Sequence, residues 1–223
     1  MLNGDGILLS KIYDALFQYF GPRHWWPAET AEEVVIGAIL VQGVAWSNVE
    51  KAISRLKHAG LLSLNAIHRA DESVLAECVR STLYYRMKVK KLKAFAGHIA
   101  QHYEGKLESL FDKPMGEARK ELLQIYGIGP ETADSILLYA GGLPTFVVDA
   151  YTRRIFSRMG YVEEKIPYED LRRFFMERLP QSTELFNEYH ALLVELGKQI
   201  CTARKPKCGI CPLGEWCKGK DKI

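Results

Sequence analysis

Long hydrophobic runs are missing from the 223 residues: the longest nearly pure one, Val34 to Val41, has eight residues, far short of the roughly 20 that cross a bilayer. The N-terminus, Met1-Leu2-Asn3-Gly4-Asp5, has no basic stretch followed by an apolar one, so no secretory signal is expected and a cytoplasmic location follows. Two-residue alternation is scarce, and no Asn-Gly or Asp-Gly step joins two alternating runs, which argues against hairpins and sheets. Charge of one sign is also missing. Lys and Arg number 30 against 27 Asp and Glu, a net +3, so total charge does not announce a polyanion partner. Cysteines are few and odd in number, five, which suits a disulfide framework poorly. Nor is there a repeat of 20 to 50 residues or a Pro/Gly/Ser linker.

What is present is a globular composition, 48% hydrophobic and 26% charged, with apolar residues recurring at three- and four-residue spacing. An all-α protein is expected, with helices over 8–20, 30–40, 48–59, 65–70, 72–80, 88–103, 107–111, 116–124, 130–140, 150–159, 168–179 and 182–199. The breaks at Gly21-Pro22 through Pro27 and at Gly141-Gly142-Leu143-Pro144 suggest a body over 28–141 and a second domain built from 1–27 with 142–223. A functional cleft is expected between such parts.

Basic residues cluster twice: Arg86, Lys88, Lys90, Lys91 and Lys93 in one helical stretch, and Lys205, Lys207, Lys218, Lys220 and Lys222 at the C-terminus. A solvated face explains either cluster as well as an anionic partner does. Residues 120–141 carry a sharper signal. A helix to Gln124, a turn Ile125-Tyr126-Gly127-Ile128-Gly129 and a second helix opened by Pro130 make a helical hairpin whose glycines let backbone N–H groups approach an anion, a phosphate above all. An ordinary hairpin with a glycine cap is the plainer reading. Asp149 follows the apolar strip Phe146-Val147-Val148 and precedes a helix, a natural N-cap. Cys78 reads as a buried small hydrophobe. Cys201, Cys208, Cys211 and Cys217 supply four thiolates on a short loop, a number that suits tetrahedral zinc or an iron–sulfur cluster.

Taken together, Leu123 to Ala133 and Phe146 to Arg154 resemble the helix-hairpin-helix and the Gly/Pro-rich loop with aspartate of the endonuclease III superfamily of DNA glycosylases. The likeness in order and spacing covers nearly the whole chain. It implies a two-domain endonuclease III-like fold, with a six-helix body and a domain from both termini that carries a [4Fe–4S] cluster on the four cysteines. All four ligands coming from protein, the cluster would be structural. Arg204, Lys205 and Lys207 would meet phosphates, while thiolates and core together add about −2 and leave the chain near +1.

The resemblance makes Asp149 the catalytic carboxylate. It would stabilise positive charge on the sugar as the N-glycosidic bond breaks, and orient or deprotonate water. Glu131 stands where lyase-active members carry an imine-forming lysine, so hydrolysis stopping at an abasic site is expected. Gln42 matches the glutamine that enters the DNA stack, with Gly127 and Gly129 on the DNA backbone. Trp25-Trp26-Pro27, Trp46, the segment Leu75 to Arg80, the segment Gly127 to Asp134 and Val194 to Lys198 narrow the likeness to the endonuclease III-like 3-methyladenine glycosylases. In that branch Trp25, Trp26, Pro27, Trp46 and Lys198 line or flank the base pocket, where indole faces attract a cationic alkylated purine. Leu192 departs from a pattern that has a pocket lysine there, and the iron–sulfur loop is absent from the best-matched pattern. The expected enzyme is a monofunctional base excision repair glycosylase acting as a nucleoid-associated monomer on damaged duplex DNA. The alternatives are a bifunctional glycosylase/lyase for oxidised pyrimidines, a mismatch-specific glycosylase, and a non-catalytic DNA-binding module.

Overall fold

The computed structural model describes residues 4–219; Lys220 and Lys222 of the C-terminal basic cluster lie outside them. The chain divides into two compact units, Trp26–Leu143 (the body) and Met1–Trp25 with Pro144–Ile223 (the terminal unit). The boundaries therefore fall within the Trp25-Trp26 pair and before Pro144, each two residues from the places where glycine and proline mark them in the sequence.

Among the described residues every regular element is helical: α1 (Gly4–Phe20), α2 (Ala31–Leu40), α3 (Trp46–His58), α4 (Leu64–Arg69), α5 (Glu72–Cys78), α6 (Tyr85–Tyr103), α7 (Glu108–Phe111), α8 (Met115–Leu122), α9 (Pro130–Ser135) continuing as a π-helical stretch (Ile136–Ala140), α10 (Ala150–Met159), α11 (Tyr168–Met176) and α12 (Thr183–Gln199), with a short 3-10 turn at Cys208–Ile210. The body holds six longer helices plus the short α4 and α7. Side-chain caps fix several starts: Thr30 accepts from Glu33 N–H, Ser63 from Ala66 N–H and Ser182 from Leu185 N–H, each satisfying a donor the helix cannot. α6 begins three residues earlier than its apolar spacing suggests, because Tyr84 turns the chain in a left-handed conformation (φ 55°) just before it.

α2 is the centre of the body. Its residues Val34 to Leu40 are all buried, and it packs on α3, α6, α9 and the π-helical stretch. The apolar stripe of α6, Val89, Leu92, Phe95, Ala96 and Ile99, closes the same core. Cys78 is buried in it, as expected of a small hydrophobe. In the terminal unit α12 is central and packs on α1 and α10. Phe146 stacks on Phe175 with ring centroids 3.9 Å apart, edge-on to Phe186 and Tyr189, and Tyr189 donates its hydroxyl to the Leu9 carbonyl at 2.9 Å. Leu192, the departure from the pocket-lysine pattern, is fully buried in α12.

Candidate functional site

Phe146, Val147 and Val148 are buried and deliver Asp149 to the N-cap of α10. There Oδ1 accepts from the N–H of Thr152 at 2.7 Å, while Oδ2 stands 3.6 Å from Nε2 of the buried His190 on α12. Burial pushes the carboxyl up, but His190 and then Thr152 pull harder in the other direction, so its pKa lies below the ordinary value. Asp149 is thus an ionised carboxylate at a helix N-terminus, where the dipole favours negative charge, and its side chain keeps 12% exposure. His190 went unnoticed in the sequence because an isolated histidine within an apolar helix gives no signal of its partner.

In the body, the hairpin of α8 and α9 is clamped by a guanidinium fork. Arg119 donates from Nε and Nη2 to the two oxygens of Asp134 at 2.9 and 3.0 Å, and Asp134 is fully buried. Of the two turn glycines only Gly127 needs a left-handed backbone (φ 83°). Gly129 is extended (φ −92°), and open space lies where its side chain would be. The turn is not bare: the stem of Lys91 covers Gly127 so closely that an added Cβ would lie 2.3 Å from Lys91 Cγ.

Gln42 is tied to the same turn rather than projecting from it. Its Nε2 donates to the Gly127 carbonyl at 3.0 Å and to Thr132 Oγ1 at 2.9 Å, and its Oε1 accepts from Lys91 Nζ at 2.6 Å. Beneath it Lys88, only 3% exposed, donates from Nζ to the carbonyls of Ile39 and Gln42 at 3.1 and 2.6 Å. Burial, and then the charge of Lys91, lower the Lys88 pKa to about 8. Lys93 donates to the carbonyls of His68 and Ala70. Three of the five cations that read as one basic face are therefore spent on groups of the body itself. The signal was there for Lys88: it precedes Leu92 by one helical turn and shares the apolar stripe.

The expected pocket residues separate between the two units. Trp26, Pro27 and Trp46 belong to the body, where Trp26 meets Trp46 edge-on (centroids 5.2 Å apart, 84°) and lies 5.3 Å from Tyr139. Trp26 can lie this close because α2 has Gly37 beneath it, where a Cβ would come within 3.3 Å of the indole. Trp26, Pro27 and Trp46 line a hollow of about 260 Å³ shared with Glu33, Glu50, Lys57 and His58. Trp25 belongs to the terminal unit with Lys198, whose Nζ sits 5.9 Å from its ring centroid. Tyr139, beside Trp26, carries no signal of that contact in the sequence. A larger hollow of the body, about 590 Å³ beside His68, His98 and Tyr126, holds none of the expected site residues.

Cys201, Cys208, Cys211 and Cys217 line one enclosure in the terminal unit with Ile155, Met159, Leu196, Ile200 and Leu213. Burial, and then the charges of the other three sulfurs, raise the Cys211 thiol. Four thiolates in an apolar enclosure are unfavourable without a cation, and a positively charged iron core removes that cost. The donor set fits the group. Arg204, Lys205 and Lys207 remain exposed on the first interval of the loop.

The description "HhH-GPD superfamily base excision DNA repair protein" matches residues 36–181, and that of the iron–sulfur binding domain of endonuclease III matches residues 201–217. The chain is 46% identical over 215 residues, 96% of its own length and 97% of the other's, to MJ1434 of Methanocaldococcus jannaschii, provisionally named a DNA repair glycosylase. It is 29% identical over 185 residues, 82% of the chain and 80% of the relative, to endonuclease III of Sulfolobus acidocaldarius. An endonuclease III in a non-covalent DNA complex superposes with a TM-score of 0.83 at 22% identity, covering 100% of this chain and 98% of that one. The 3-methyladenine DNA glycosylase MagIII of H. pylori, bound to 1,N6-ethenoadenine, gives a TM-score of 0.76 at 28% identity over 87% of this chain and 97% of that one.

Proposed function

The chain belongs to the HhH-GPD superfamily of base excision DNA repair proteins, and from that premise we propose that it is a monofunctional DNA glycosylase that releases alkylated purines, 3-methyladenine among them, from duplex DNA. It holds a [4Fe–4S] cluster, for which Cys201, Cys208, Cys211 and Cys217 would be the ligands. Bound there, the cluster supplies a cationic core that fixes the loop carrying Arg204, Lys205 and Lys207.

The observation that carries the reading is the state of Asp149, a partly exposed carboxylate kept ionised by its surroundings. As the glycosidic bond lengthens, positive charge gathers on the sugar, and a fixed carboxylate lowers the energy of that state. The same group accepts a proton from the attacking water. His190 stands 3.6 Å from its second oxygen. Glu131, exposed in the first turn of α9, cannot form an imine, and this favours hydrolysis over strand cleavage. The indole faces of Trp26 and Trp46 in their hollow support a cationic base, since such faces attract positive charge. Backbone N–H groups at Gly127 and Gly129 would take phosphates of a single damaged duplex bound by one copy of the protein.

The test is single-turnover base release from methylated duplex DNA, with the freed bases identified by mass. The expected result is 3-methyladenine release without strand cleavage and without a borohydride-trapped adduct. Asp149→Asn should lower the rate by at least about a hundredfold while DNA binding persists. Unchanged excision by that variant, or a trapped covalent adduct in the parent protein, overturns the reading.

A further inference from the structure

The two ends of the cysteine loop meet at Arg158 on α10. Its Nη1 donates to the Thr202 carbonyl at 2.7 Å and lies 3.5 Å from Sγ of Cys201, and its Nη2 donates to the Ala203 carbonyl at 2.8 Å. Its own carbonyl faces the opposite end of the loop. Cys217 Sγ lies 3.7 Å from that oxygen, and Gly219 presses on it so closely that an added Cβ would come within 2.4 Å. The N–H of Lys218 donates to the adjoining Met159 carbonyl at 3.5 Å. One residue therefore touches both the first and the last cysteine of the run.

We propose that Arg158 positions the Cys201 thiolate at the start of the run and sets the electron affinity of the cluster it holds. A guanidinium stays protonated at any working pH and presents several donors in a rigid plane. Two carbonyls pin this plane, so the remaining N–H stays directed at the Cys201 sulfur instead of turning to solvent. A hydrogen bond to a ligating sulfur, together with a nearby positive charge, stabilises the cluster more in the state that carries one more electron. Arg158 thus makes the cluster easier to reduce, and by holding the first end of the loop through Thr202 and Ala203 it slows the loss of iron. Arg154, one turn earlier, does something else. It donates to the carbonyls of Gly197 and Cys201 at 2.9 and 3.0 Å and lies over the Tyr151 ring.

The experiment compares the parent protein, loaded with its cluster, with Arg158→Met and Arg158→Lys, none of them bound to DNA. Two quantities are read: the reduction potential at an electrode, which supplies the electron, and the rate at which visible absorption bleaches in a chelator with a mild oxidant. Arg158→Met should have a more negative potential and bleach about tenfold faster, the scale of one charge-assisted hydrogen bond. Arg158→Lys keeps the charge but cannot reach the sulfur and both carbonyls together, so its bleaching rate should fall between the other two. Parent-like potential and bleaching in both variants overturn the proposal. So does a lowered unfolding temperature with an unchanged potential, which would mark a packing role alone. If Arg158→Met accumulates without a cluster, Arg158→Lys decides: faster bleaching than the parent supports the proposal and an equal rate overturns it. These readouts are independent of any excision activity, so they fail or succeed separately from the glycosylase reading.

Discussion

The body and the terminal unit both fasten helix ends with cations, yet they use different chemistry. In the body a buried charge sits at each fastening: Lys88 itself under the end of α2, and the fully buried Asp134 that a half-buried Arg119 forks across the hairpin. In the terminal unit Arg154 and Arg158 are only half-buried and grip carbonyls around a cysteine loop, while a cluster of stacked and edge-on aromatic rings fills the core. A buried charge is costly when its partner is lost. A guanidinium at the edge of solvent costs little to keep, and its value lies in directed hydrogen bonds. The body's joints should therefore answer to protonation and charge deletion, the terminal unit's to shape and to the integrity of its loop.

The sharpest way to break this contrast is to remove Arg119. Arg119→Met leaves the Asp134 carboxylate buried without its fork and should cost about 3–5 kcal/mol in denaturant unfolding; a loss under about 1 kcal/mol would mean that the pair is replaceable. The next effect is a pH dependence. The Lys88 pKa falls from its ordinary 10.5 to about 8, so between these values the folded protein binds fewer protons than the unfolded chain. Stability should then rise with pH across that window, by up to about 3 kcal/mol from this group. Lys88→Met should remove the rise, and parallel stability curves for parent and variant from about pH 7.5 to 10.5 would contradict it. On the other side of the comparison, Gly197→Ala tests shape. A Cβ there would come within 2.4 Å of the Tyr151 ring, and the displacement should cost about 1–3 kcal/mol with no dependence on pH.

The same contrast explains what could be read from the sequence. Helix positions were legible because the apolar stripes that define them are local, and α2, α9 and α10 start within a residue of where spacing and caps place them. The cysteine run was legible because its ligands are close neighbours in the chain. Long-range polar pairs were not: Arg119 with Asp134, and Asp149 with His190, are joined only by the packing of separate helices. Lys88 was hidden by its company, since four nearby basic residues make a solvated face the natural reading. Gln42 was assigned to the stack through resemblance, whereas its carboxamide is held by Gly127, Thr132 and Lys91, so any move into DNA must first exchange those three bonds. The resemblance places Trp25 and Trp26 together on one pocket wall, while the boundary of the two units falls between them.

The π-helical stretch Ile136–Ala140 adds one residue to the turn that carries Tyr139. Such wide turns equal an α-helix with a single-residue insertion. Excising one position from this stretch would restore regular α geometry and leave the helix beyond it in phase, but it would re-space the residues within the turn and shift the Tyr139 ring against Trp26. The turn therefore acts as a length-encoded setting of the aromatic wall, one that a deletion would reset while every side chain in it remained chemically intact.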